Sequence, residues 1–262
     1  MSARKVGSWV LCSIAAGGLL PSLAQAEIGT FRAYAGVMPT RYSVSFDNGA
    51  PDAPPSTYKN KTAKSSYTAV TLGGTWIHPK GIYVDLSAQQ SGSATHDLWS
   101  DVTNQSQKFT HDVYTLTAGY SHVFPSGMSA SGFGGYTQAN TTLAAPEPPL
   151  GFSKDTFDSK GIFIGVGGGI PALRGQFSGS IALASMSGTW KDDNGFNNSA
   201  SYTTGFSLSG GYTYRISEAL GVTVDLRHQQ YKYDFGVYAN NSPTYSVTEK
   251  ITSAGVRLSY QF

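Results

Sequence analysis

Along most of the chain apolar residues alternate one for one with polar or very small ones, the period of a strand whose two faces meet different surroundings. The terminal run shows it best. Ala254, Val256, Leu258, Tyr260 and Phe262 take one parity, while Ser253, Gly255, Arg257, Ser259 and Gln261 take the other. Comparable alternation predicts ten strands, near residues 28–46, 67–78, 82–90, 108–124, 128–138, 161–170, 175–187, 202–215, 222–235 and 247–262. Eight strands is the alternative, with one hairpin outside the wall, and the Gly- and Ser-rich run Ser129 to Tyr136 is the weakest segment.

Two kinds of break separate these segments. Tight turn signals occur at His78-Pro79-Lys80-Gly81, at Pro125-Ser126-Gly127, from Pro171 to Gly175 and from Ser217 to Gly221, centred at 79, 126, 173 and 219 and so 47, 47 and 46 residues apart. That spacing is a hairpin repeat. Between the turns lie longer polar stretches at 47–66, 91–108, 140–160, 188–201 and 236–246, three of them proline-bearing. Short turns thus alternate with long loops, and an even strand count brings both chain ends to the short-turn side.

Parity also sorts the charges. Val222, Val224 and Leu226 oppose Thr223, Asp225 and Arg227; Ile82, Val84 and Leu86 oppose Tyr83, Asp85 and Ser87; Phe206, Leu208, Tyr212 and Tyr214 oppose Ser207, Ser209, Gly211 and Arg215. If the apolar set faces lipid, then Arg32, Asp85, Arg174, Arg215, Asp225, Arg227 and Arg257 line the interior. Lys or Arg on a lipid face at mid-depth costs about 2 to 4 kcal/mol, so the choice of face is strongly biased. Aromatics fall into two groups, expected to form two girdles: Trp76, Tyr120, Phe124, Tyr212, Tyr214, Tyr260 and Phe262 by the short turns, and Tyr67, Phe109, Tyr114, Tyr231, Tyr233 and Phe235 by the long loops.

The first residues read as a removable export signal. Arg4 and Lys5 precede an apolar run from Val6 to Leu20, and Ala24-Gln25-Ala26 offers a cleavage site, which leaves 27–262 as the mature domain. Cys12, the one cysteine, lies within the signal, so neither a disulfide framework nor a thiolate metal site is expected in the exported chain. Loss of the signal takes the balance from 18 Lys and Arg against 16 Asp and Glu to 16 against 16, which disfavours nucleic acid as a partner. Charged residues are only 13% of the chain, well under the roughly 25% of soluble proteins, while Gly and Tyr are abundant. With no second segment apolar enough for a spanning helix, a membrane protein of this sequence must pair its backbone by closing a sheet.

On these features the chain resembles the Gram-negative outer-membrane β-barrel superfamily, in particular its small eight- to ten-stranded members. The terminal strand carries the resemblance most specifically: Leu258, Tyr260 and the final Phe262 look like the signal read by the barrel-assembly machinery. It implies an all-β, up-and-down antiparallel transmembrane barrel in the cell outer membrane, with the short turns periplasmic and the long loops extracellular. The partners implied are outer-membrane lipid and lipopolysaccharide, and the assembly machinery during biogenesis.

Three functions remain open at this level. Inward faces of small residues, such as Ser178, Ser180, Ala182 and Ala184, leave room for narrow passive passage of small polar solutes, with an excess of inward Arg over Asp favouring anionic or neutral ones. The same charges are also suited to pair into a structural plug, which suits a barrel supporting envelope integrity. A surface adhesin working through five extracellular loops is the second function. The third is a rim-sited hydrolase resembling omptins or lipid A-modifying barrels, for which His96-Asp97 and His111-Asp112 are the candidates. Neighbouring strand residues face opposite ways, however, and no omptin motif is visible. Gly165 to Gly169 sits within a strand pattern and reads as a place where neighbouring side chains need room, not as a phosphate loop. No catalytic set, metal or cofactor is expected.

Overall fold

The computed structural model describes residues 29–48, 62–92, 94–96, 107–144, 154–192, 197–235 and 245–262. Its elements are β1 (Thr30–Asn48), β2 (Thr62–Ile77), β3 (Ile82–Ser91), β4 (Ala94–His96), β5 (Gln107–Val123), β6 (Ser129–Ala144), β7 (Lys154–Ala172), β8 (Gly175–Asp192), β9 (Asn197–Arg215), β10 (Leu220–Phe235) and β11 (Tyr245–Gln261). β3 and β4 both pair with β5 and act as one stave, so ten staves stand side by side, each antiparallel to its neighbours. β1 pairs with β11 from Arg32 opposite Gln261 to Asn48 opposite Tyr245, and β3 pairs with β5 from Ile82 opposite Tyr120 to Gln90 opposite Asp112, which closes the sheet into a barrel. β6 belongs to the wall along its whole length, so the eight-strand alternative is excluded.

All four tight turns lie at one end, where local chemistry makes them. Gly127 takes φ 81°, and its N–H donates to the Phe124 carbonyl at 2.9 Å. Gly81 takes φ 88°, a left-handed conformation that glycine adopts without steric cost, and donates to the His78 carbonyl at 2.9 Å. Leu173 and Arg174 alone join β7 to β8, with Leu173 left-handed at φ 53°. Arg174 is therefore an exposed turn residue and not part of the interior, a correction to its expected place.

From this end upward, each strand follows the expected parity for about the 9 to 11 residues a tilted strand needs to cross a bilayer. Leu86, Ile164 and Leu226 point outward with 61%, 69% and 63% of their surface open, an apolar band that water would not tolerate. Then the pattern reverses phase. On β10 the apolar positions are Val222, Val224 and Leu226 outside, but Tyr231, Tyr233 and Phe235 inside; on β7 they are Ile162, Ile164 and Val166 outside, but Phe157 inside. The outward places in these upper rows pass to Arg41, Lys64, Lys160, Lys232 and Lys250, all exposed. The strands thus stand beyond the apolar band with a wet exterior and a dry core.

This reversal corrects two expectations. Of the aromatics expected to form the upper girdle, Tyr67, Phe109, Tyr231, Tyr233 and Phe235 are buried in the bore, and only Tyr114 is exposed on the outside. Strands also run further than the sequence pattern suggested: 62–66, 140–144, 154–160, 188–192 and 197–201 are strand instead of loop. Their outward polar residues face water, so they read as loop although the backbone remains paired.

Candidate functional site

The bore has a polar lower part and a closed roof. Within the apolar band, inward residues are mostly Ser, Thr and Gly, with Asp85, Asp225, Arg227 and Arg257 among them. Arg257 on β11 donates from Nε to Asp225 Oδ1 on β10 at 2.9 Å, and its guanidinium lies 5.3 Å from the centre of the Tyr34 ring. Tyr34 in turn donates to Asp85 at 3.1 Å, and Thr75 Oγ1 donates to the other Asp85 oxygen at 2.6 Å. The chain Thr75, Asp85, Tyr34, Arg257, Asp225 crosses five neighbouring staves on one side of the wall. Each carboxylate is thereby satisfied, as a low-dielectric site requires.

The opposite wall is lined with small groups, where Ser180 and Ser209 share a hydrogen bond of 2.7 Å, and Phe133 and Phe163 meet edge to face at 6.3 Å. Gly165 gives Phe133 its space: a Cβ there would overlap the ring, so this glycine serves close packing as its strand context suggested. Arg227 projects into the same space and makes no ion pair or hydrogen bond among the described residues. Arg32 and Arg215 stand at the short-turn mouth, Arg215 exposed and Arg32 reaching Gln261 at 3.5 Å. At mid-depth the charge set is therefore Arg227 and Arg257 against Asp85 and Asp225, instead of the Arg excess the sequence suggested.

A cavity of about 420 Å3 runs up this interior from Arg32 to His111 and Glu249. Above it sits the roof, built from Tyr42, Tyr67, Phe109, Phe157, Tyr233 and Phe235 with Val44 and Val247. Tyr233 and Phe109 are fully buried, Phe157 meets Tyr233 edge to face at 4.9 Å, and Tyr42 packs on Phe109 at 5.0 Å. These rows lie beyond the apolar band, so the roof is outside the membrane-spanning segments.

Two ionisable groups sit within it. Glu249 on β11 is 1% exposed and accepts a hydrogen bond from the Tyr233 hydroxyl at 3.2 Å. Burial pushes its carboxyl up to about 7, opposed by hydrogen bonding from Tyr42 and Tyr233. His111 on β5 shares a hydrogen bond of 2.8 Å between Nδ1 and the Thr141 hydroxyl, and burial lowers it to about 4, so its ring is neutral near pH 7. Neither was singled out in the sequence as a roof residue; the available signal was the shift of apolar residues to the other parity. His111 and Asp112 face opposite sides of the wall, as strand geometry requires. The His96 side chain and Asp97 lie outside the described residues. Among the described residues no cluster of His, Cys, Asp and Glu could hold a metal ion.

Leu258, Tyr260 and Phe262 lie on the outer face at the short-turn end. Phe262 donates its N–H to the Phe31 carbonyl at 2.9 Å, and the two rings approach to 5.9 Å across the closing seam.

No family model matches the chain, and no curated protein does. Among solved structures it is similar to the outer membrane protease OmpT of Escherichia coli, with 12% identity, TM-score 0.54 and coverage of 89% of this chain and 97% of that one. It is also similar to the translocator domain of the autotransporter NalP of Neisseria meningitidis, at 11% identity and TM-score 0.50, covering 89% and 88%. The shared feature is the fold, a closed antiparallel β-barrel of the kind these outer-membrane proteins have.

Proposed function

We propose that the protein is a non-enzymatic outer-membrane barrel giving narrow passage to small polar solutes, held shut on the extracellular side by its aromatic roof. The observation that carries this reading is the polar cavity of about 420 Å3 rising from the short-turn mouth to the underside of the roof. A barrel meant only as a strut would fill that space with its own side chains, as an eight-stranded one can. Arg227, without an ion pair among the described residues, favours anionic or neutral solutes over cations. The hydrolase reading finds little support, since His111 is tied to Thr141 within the roof and Asp112 faces away.

A second reading is favoured by the upper rows, which lift the loop-bearing ends clear of the apolar band and suit contact with other surfaces. Recording in planar bilayers separates the two. Wild-type protein is expected to open rarely, and Phe109→Ala with Tyr233→Ala to raise open time severalfold. Silence from both forms, each checked as folded, would overturn the passage.

A further inference from the structure

The outside of β2, β1, β11 and β10 carries a concentration of cations just above the apolar band. Strand register fixes their arrangement. Ser43 on β1 is opposite Lys64 on one side and Lys250 on the other, and Arg41, one same-face step lower, is opposite Ser66 and Thr252. Lys232 on β10 is opposite Thr248, one step higher. With strands about 4.8 Å apart and same-face residues about 7 Å apart along a strand, Lys64 and Lys250 stand about 10 Å from each other, with Arg41 below and between them.

All four side chains are exposed. Arg41, Lys64 and Lys250 make no ion pair among the described residues, and Lys232 approaches only Asp234, at 3.8 Å. The nearest outward acids on these staves, Asp47 and Asp234, are a further step away from the membrane. Elsewhere at this height charges are mixed: Lys191 pairs with Asp158 at 3.3 Å, and Asn140 also bonds Asp158. In the row below Arg41 the outward residues are Pro39, Thr68, Ala254 and Leu226, and in the next row Val37, Val70 and Val256. The surface thus offers three convergent cations over a greasy wall, one-sided around the barrel.

We propose that Arg41, Lys64 and Lys250, assisted by Lys232, dock the phosphorylated head group of lipopolysaccharide while its acyl chains lie on the apolar wall beneath. Phosphate carries close to two negative charges at neutral pH and accepts from several donors at once, which suits a triangle of long cationic side chains. The site lies at the end opposite the short turns and Phe262, hence in the outer leaflet, where the phosphorylated lipid is lipid A and not a phospholipid. The proposal rests on the outer-membrane orientation and is independent of passage through the bore.

The experiment uses the full barrel in zwitterionic nanodiscs and measures binding of bisphosphorylated lipid A, dephosphorylated lipid A and phosphatidylglycerol. Each charge near an anionic surface is expected to contribute about fivefold to affinity, so Arg41→Gln with Lys64→Gln and Lys250→Gln should weaken binding of the bisphosphorylated form roughly 100-fold. Lys160→Gln with Lys191→Gln, on the far side, should change it less than twofold. Gel mobility before and after heating verifies that each variant is folded; Lys250→Gln alone, expected to lose about fivefold, carries the test if the triple variant does not fold. Equal binding of the dephosphorylated form or of phosphatidylglycerol, or an unchanged affinity in the folded variants, overturns the site. A misassigned membrane would instead appear on cell fractionation, as protein outside the outer-membrane fraction.

Discussion

Glu249 and Lys250 are adjacent in sequence and face different media, one a dry aromatic cluster and the other the surface above the apolar band. The strand's alternation makes this possible, and burial makes it consequential for Glu249. Its carboxyl titrates at about 7 in the closed roof against 4.5 when solvated, so below pH 4.5 it is neutral whether the roof is closed or open. As pH rises from there to about 7, the open form gains by ionising while the closed form does not, and closure loses about 3 kcal/mol. Above that range the loss is constant. Amide exchange of Val247 to Ile251, corrected for intrinsic rate, is therefore expected to be markedly less protected at pH 8 than at pH 5. Glu249→Gln should remove the difference; a wild-type roof equally protected at both pH values would contradict the assignment.

At the scale of the strand, the instructive element is β10. Val222, Val224 and Leu226 face out, whereas Tyr231, Tyr233 and Phe235 face in, and between them the outward His228 and Gln230 mark where the apolar band stops. Arg placed at Val224 should cost about 2 to 4 kcal/mol, and at Gln230 close to nothing, although both positions share one face of one strand. Guanidinium unfolding in lipid, run on the two variants, checks this; equal costs would mean that the band extends further up. The lower rows were legible in the sequence because lipid imposes a single rule, and parity placed Asp85, Asp225, Arg227 and Arg257 on the inward face that the wall also gives them. The upper rows were not, because water outside and a dry plug inside invert that rule. Lys64, Ser66, Asp158 and Lys160 then look like loop residues, and Tyr67 and Phe109 look like interfacial anchors. Arg174 escaped for a simpler reason: the β7–β8 turn uses only two residues, and parity has no meaning inside it.

As a whole the molecule stacks two compartments with opposite solvent relations. Along the apolar band the exterior is greasy and the bore polar; above it the exterior is charged and the bore is closed by rings that pack as a soluble core does. Closure of the wall through β1 and β11 ties the compartments into one cooperative unit, since along the apolar band the staves are paired side by side around the whole circumference. Such a cylinder should resist detergent until heated, because along the apolar band each stave is paired on both sides. Unheated protein is expected to migrate faster on a denaturing gel than boiled protein. Phe109→Ala with Tyr233→Ala should keep that shift, as it removes roof contacts but no stave, while moving the temperature at which the shift is lost downward by several degrees. Identical mobility with and without heating would mean that the wall does not close, and the roof would then have no cylinder to seal.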